Sequence, residues 1–259
     1  MRACSFLLWV SLASGMQAQL VVVDTISAVQ PWGRHEVYTF PELRMPQQPD
    51  IAERIHRDLC VHFLEVDPDT AGNDIFTKVW GDTMSASMPR LNSLSWTCSQ
   101  VLPGLFTFEF SAEGCGAYCE GFTKHYVYDL RNGERLEYDS LFTAAGLAAL
   151  NDTVDRRWRK AVNEEIEFLE GLLDVPSGKA IEPILTSYTI DLYRTCLAER
   201  PSDHPYVEDM EPRPNGLRVF IARCSAHANM HLDDLNAVEL VLPYALLDPM
   251  LRVRSFFGL

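Results

Sequence analysis

The stretch Glu113-Gly-Cys-Gly-Ala-Tyr-Cys-Glu-Gly-Phe122, followed by Thr-Lys-His-Tyr-Val-Tyr-Asp-Leu130 and the turn Arg-Asn-Gly-Glu134, constrains the fold of this chain more than any other segment. Its glycines tolerate positive φ and close backbone approach, and its two cysteines can lock the loop in an oxidising compartment. Residues 122–130 then alternate as a strand and end in Asn132-Gly133, the dipeptide favoured in hairpin turns. Runs at 94–101 and 105–111 precede the loop, separated by Leu102-Pro103-Gly104. Such short connections demand an antiparallel meander.

Around this meander the pattern reads as α+β: an antiparallel sheet packed against a long helix and shorter helices. Residues 20–30 and 35–40 are strand-like, rich in β-branched and aromatic side chains. Pro46 and Pro49 break the chain and Asp50 is a fair N-cap. Ile51, Ile55, Leu59 and Phe63 then fall at helical spacing, predicting a helix over 51–64 with Cys60 near its buried face. Residues 66–90 read as a loop region with an aromatic patch at Ile75, Phe76 and Trp80. Leu147, Leu150, Val154, Trp158, Val162, Ile166 and Leu169 mark a long helix, closed by Pro176, Ser177 and Gly178, with Trp158 expected against the sheet. In the last third, 188–192, 217–223 and 237–242 read as strands, with a Pro-rich loop at 201–214 and a short helix over 244–252. The expected organisation is a leader at 1–18, a strand–helix portion at 19–90 and an α+β portion at 91–259, the last two forming one globule.

The leader expectation rests on Arg2, the apolar run from Phe6 to Leu12, and small residues approaching Ala18. That run is too short to span a bilayer comfortably, and no later stretch is long and apolar enough. The mature protein is therefore expected in the periplasm or outside the cell, without a membrane span. Of the seven cysteines Cys4 leaves with the leader. Cys60, Cys98, Cys115, Cys119, Cys196 and Cys224 remain, an even number that reads as disulfides throughout. Cys115 and Cys119 are close enough in sequence to bond. If 188–196 and 217–224 are hairpin strands, Cys196 and Cys224 lie at opposite ends of it, so Cys60 and Cys98 become their expected partners. The formal net charge of −14 disfavours nucleic acid and anionic membrane surfaces and suits solubility or a basic protein partner.

The order of parts resembles the extracytoplasmic bacterial domain found in lysozyme-sensing anti-sigma factors and beside peptidoglycan deacetylase domains. Gly114-Cys115-Gly116-Ala117 lies where that family has a Gly-Gly-Ala-His loop. Asp129-Leu130 with Gly133, Asp139-Ser-Leu-Phe142 and Val241-Leu-Pro-Tyr-Ala-Leu246 match its later elements. The resemblance covers roughly 91–252, and the helix at 51–64 fits its upstream portion. Tyr118 replaces the loop's His, so a role resting on that His does not transfer. The resemblance implies an envelope or surface location and a binding or sensing role, and it supplies no mechanism.

Candidate chemistry is sparse. His227 and His231 with Asp233 and Asp234 form the one dense His/carboxylate cluster, but Ala228 stands where the zincin pattern needs Glu, and an ordinary polar loop is the simpler reading. No Gly-x-Ser-x-Gly elbow exists. Glu164 and Glu165 read as a solvated helix face. The Asn151-Asp-Thr153 sequon falls in a helical stretch of a chain resembling bacterial proteins. Gly116, Ala117, Tyr118, Phe122, Tyr126 and Tyr128 remain as a candidate ligand face, where strand aromatics could stack on a sugar or peptide or simply pack in the core. The expectation is a non-catalytic envelope binding module for a glycan or protein ligand, with no metal or other cofactor. The alternatives are a metal-dependent hydrolase using His227, His231 and Asp233 or Asp234, and a lysozyme-type sensor or inhibitor.

Overall fold

The computed structural model describes residues 20–30, 36–71, 74–76, 78–79, 91–115, 119–174, 183–200, 207–225, 230, 233, 235 and 237–252. The expected leader, Trp80, the 176–178 helix stop and the loop tip at 116–118 lie outside them. The chain divides into two compact units, Met1–Leu136 and Glu137–Leu259. The 90/91 division read from the sequence falls inside the first.

In the first unit, β1 (Val22–Val29) and β2 (Val37–Arg44) pair antiparallel, Val22 opposite Arg44. Helix α1 (Pro49–Leu59) starts with a proline, whose fixed φ and missing N–H suit the first turn. Its buried Ala52, Ile55 and Leu59 recur at helical spacing. The helix then widens into a π-turn, Cys60–Leu64, and stops at Glu65, which adopts left-handed φ of 56°. The Val66 amide donates back to the Cys60 carbonyl at 3.0 Å. After a one-turn helix, α2 (Pro68–Ala71), the meander follows as expected: β3 (Leu91–Ser99), β4 (Leu105–Cys115) and β5 (Cys119–Asp129), all antiparallel. Phe40, Ile55, Leu59, Phe108, Phe110 and Tyr128 meet in one core, each at most 1% exposed. Burying each such side chain contributes about 1.5–3 kcal/mol. The Tyr38 hydroxyl donates to the Leu91 carbonyl, tying β2 to the start of β3. Gly133 closes the turn after β5 with φ of +74°, its amide reaching the Asp129 carbonyl at 2.7 Å. The Arg131 guanidinium grips the Asp129 carboxylate at 2.9 Å, so this Asp-Leu motif builds a turn.

In the second unit a 3-10 turn at Asp139–Leu141 leads into α3 (Ala144–Leu173). Thr143 caps α3, its hydroxyl accepting from the Gly146 amide at 3.0 Å. The predicted stripe is buried from Leu150 to Leu169, Trp158 to 1% exposure, while Leu147 at its start is only partly buried. The stretch read as a strand at 188–192 is part of a helix, α4 (Pro183–Glu199), with Thr186, Thr189, Ile190 and Tyr193 buried at three- and four-residue steps. The Pro-rich loop likewise contains β6 (Val207–Arg213), which pairs with β7 (Gly216–Ile221), itself paired with β8 (Val238–Pro243). Pro212 is tolerated because β6 is an edge strand. A Cβ on Gly216 would stand 2.3 Å from the Leu242 carbonyl oxygen, so only glycine lets β7 begin beside β8. The Val241–Leu246 motif passes β8 into α5 (Tyr244–Leu247), where the Tyr244 hydroxyl donates to the Arg213 carbonyl at 2.7 Å. A 3-10 turn, Asp248–Met250, ends the described fold.

The helical state of α4 corrects the disulfide expectation. Cys196 sits near the C-terminal end of α4, beside the exit of β7, and bonds Cys224 across a Cα–Cα distance of 5.6 Å. Arg159 reinforces the junction: paired with Asp155 at 2.8 Å, it donates to the carbonyls of Leu197 at 2.9 Å and Arg200 at 2.8 Å. These are the helix-end acceptors that need an outside donor. Cys119 is disulfide-bonded and its Cα is in register with that of Cys115. Cys60 and Cys98, expected to be oxidised, carry free thiols: one is sealed behind α1, the other exposed on β3.

Candidate functional site

The sheet of the first unit presents an aromatic face. Register places Trp96, Phe110 and Lys124 in one cross-strand row, flanked by the rows Leu94–Ala112–Phe122 and Cys98–Phe108–Tyr126. Residues two apart on a strand share a face, so Phe122, Lys124, Tyr126 and Tyr128 all project the same way from β5. The π-turn lays Phe63 on this face, stacked on Phe110 with ring centroids 4.2 Å apart. Phe63 also meets Phe122 at 6.5 Å and the edge of Tyr126 at 6.2 Å. These last two contacts are within the ordinary range of about 4.5–7 Å for aromatic pairs, and the stack on Phe110 is closer.

Where the π-turn leaves the sheet, a cavity of about 390 Å³ opens. Phe63, Phe122 and Tyr126 supply aromatic surface, Leu64, Val79 and Leu91 aliphatic surface, and Gly114 a bare stretch of β4. Three side chains with charge-bearing groups join them: His62, Glu65 and Lys124. His62 faces the Asp58 carboxylate at 3.3 Å. The Tyr126 hydroxyl donates to the His62 carbonyl at 3.2 Å, while the Arg135 guanidinium lies 5.6 Å from the centre of its ring. A concave, mostly apolar site with a few convergent polar groups is the usual form of a small-molecule pocket.

Of the ligand face read from the sequence, Phe122 and Tyr126 line this cavity. Tyr128 does not. It is fully buried, its hydroxyl donating to Asp58 at 2.7 Å, and burial followed by that carboxylate drives its pKa upward. Gly116, Ala117 and Tyr118 fall outside the described residues. Sequence reasoning missed Lys124 and the residues His62 to Glu65. Lys124 was legible as the one charge in the alternating series Phe122, Lys124, Tyr126, Tyr128. The π-turn left no signal, since 51–64 carries an unbroken helical pattern.

The residues considered for hydrolysis divide. Asp233 is 3% exposed and committed to structure, accepting from the Tyr193 hydroxyl at 3.0 Å and the Ser225 amide at 2.9 Å. His227, His231 and Asp234 lie outside the described residues. On the opposite face of the first unit's sheet, Glu109 and His125 pair across β4 and β5 at 3.3 Å, the imidazole almost wholly enclosed. At the end of α1, His56 faces the Cys60 thiol at 3.6 Å. Burial lowers the His56 pKa and pushes the Cys60 thiol up to about 12, the opposite of an activated nucleophile. No described helix is long and apolar enough to cross a membrane.

No family model matches the chain, and no curated protein matches it. Solved structures do. A DUF3298 family protein from Bacteroides fragilis superposes with a TM-score of 0.51 at 14% identity, covering 93% of this chain and 96% of that one. Another from Pseudomonas aeruginosa gives a TM-score of 0.45 at 12% identity, over 93% and 97% of the respective chains. The likeness to the Bacteroides fragilis protein is one of fold.

Proposed function

We propose that this protein is a non-catalytic binding module of the bacterial cell envelope, located in the periplasm or outside the cell, and that its ligand is a glycan held in the cavity between the π-turn and β5. The observation that carries this reading is the aromatic wall of Phe63, Phe122 and Tyr126 around about 390 Å³ of space. Sugar rings present flat C–H faces that pack on aromatic rings, and a cavity of this size accommodates one or two of them. The sequence resemblance to domains of peptidoglycan-associated proteins points to the same compartment, as does the cystine joining Cys196 and Cys224, a bond typical of exported chains.

Calorimetric titration with soluble fragments of envelope glycan tests the reading. Replacing Phe122 by Ala removes one stacking surface from a partly exposed position. The expected loss is about tenfold in affinity, corresponding to ~1.4 kcal/mol. Unchanged affinity in the Phe122→Ala variant would place the ligand elsewhere. A second reading, capture of a basic protein of the lysozyme type, is favoured by the formal charge of −14. The same titration with lysozyme as the added component separates the two.

A further inference from the structure

We infer that the sugar this pocket selects carries a carboxylate, and that Lys124 reads it. The inference rests on the glycan reading above and specifies its ligand. On the inner face of β5, Lys124 stands between Phe122 and Tyr126 and opposite the fully buried Phe110. Its side chain is half-buried and lines the cavity. Among the described residues no carboxylate or carbonyl pairs with its ammonium. The other potential cation of the wall, His62, already faces Asp58.

Lys124 places a cation on the wall it shares with Phe63, Phe122 and Tyr126, and nothing in the surrounding core needs one there. The aromatic stacking of Phe63 on Phe110 is complete without it. A chain with 36 acidic and 22 basic side chains also repels anions in general, so an acidic ligand needs a local cation to overcome that field. Lys124 supplies one at the point where a ring stacked on Phe122 or Tyr126 would place its substituents. A compact ammonium forms a charge-assisted hydrogen bond to a carboxylate oxygen, while the ring face keeps its apolar contact. Glu65, on the same wall, disfavours ligands of higher negative charge.

The test compares three disaccharides differing at one group: one ending in glucuronate, its neutral glucose counterpart, and a glucose phosphate counterpart. Binding to the wild type, Lys124→Met and Lys124→Arg is measured by calorimetry, and thermal midpoints are recorded. The wild type is expected to bind the glucuronate sugar at least about tenfold more tightly than the neutral one, the scale of one charge-assisted contact. Lys124→Met, which keeps the stem and removes the charge, should erase that preference, with an unchanged thermal midpoint showing that the fold is intact. Lys124→Arg should restore the preference. Equal binding of acidic and neutral sugars by the wild type, or an unchanged preference in Lys124→Met, overturns this inference alone. A preference for the phosphate overturns the carboxylate assignment. Binding of none of the three overturns the inference together with the glycan reading.

Discussion

Tyr126 and Tyr128 sit two residues apart on one strand face, yet only the first reaches the cavity. Alternation identified the face they share. It could not rank their depth, because depth is set by groups distant in sequence: Asp58 takes the hydroxyl of Tyr128 and the His62 carbonyl takes that of Tyr126. The cysteines carry the same lesson. An even number of cysteines suggested full pairing, but pairing needs Cα atoms within about 4.4–6.8 Å, and Cys60 and Cys98 instead occupy unlike environments. Burial pushes the Cys60 thiol up to about 12, so almost no thiolate exists at neutral pH. Alkylation of the native protein followed by mass spectrometry should therefore modify Cys98 and spare Cys60, with Cys60 reacting only after denaturation. Equal labelling of both in the native protein would contradict the sealed position of Cys60.

At the level of elements, the long periodic pattern of α3 was the clearest, and the misreadings fell on two short segments, 188–192 and 207–213. The stripe of α3 runs from Leu150 to Leu169 over several turns, and every predicted position from Leu150 onward is buried. Trp158 is its largest member, enclosed under the Arg200 guanidinium at 4.3 Å from the ring centre. Trp158→Ala should destabilise the protein by about 3–5 kcal/mol, the range for emptying an aromatic core site. A denaturation midpoint implying a loss below ~1 kcal/mol would mean that the second unit does not depend on this packing. By contrast, Tyr188-Thr-Ile-Asp-Leu192 has strand-like β-branched composition, and α4 forms because Thr186, Thr189, Ile190 and Tyr193 bury one helical face. Propensity yielded to packing. For β6 the missed signal was the turn pair Pro214-Asn215, which joins β6 to β7, while Pro212 is tolerated on an edge strand.

Across the whole molecule, the α+β class and the β3–β4–β5 meander follow from local sequence, while the division into units at 136/137 coincides with no shift in composition. The short motifs that suggested a family mostly serve turns: Asp129 and Gly133 close one, and Asp139–Leu141 forms another. Motifs of that kind report a fold and leave the ligand unspecified. The functional reading comes instead from a cavity assembled by two segments some 60 residues apart in sequence, the π-turn and β5. We propose this cavity as the place where the protein meets a glycan. Amide chemical-shift mapping of isotope-labelled protein titrated with soluble envelope-glycan fragments tests this most directly. Saturable shifts are expected, concentrated at His62 to Glu65, Gly114 and Phe122 to Tyr126. Shifts confined to the Glu137–Leu259 unit, or none at millimolar glycan, would contradict it.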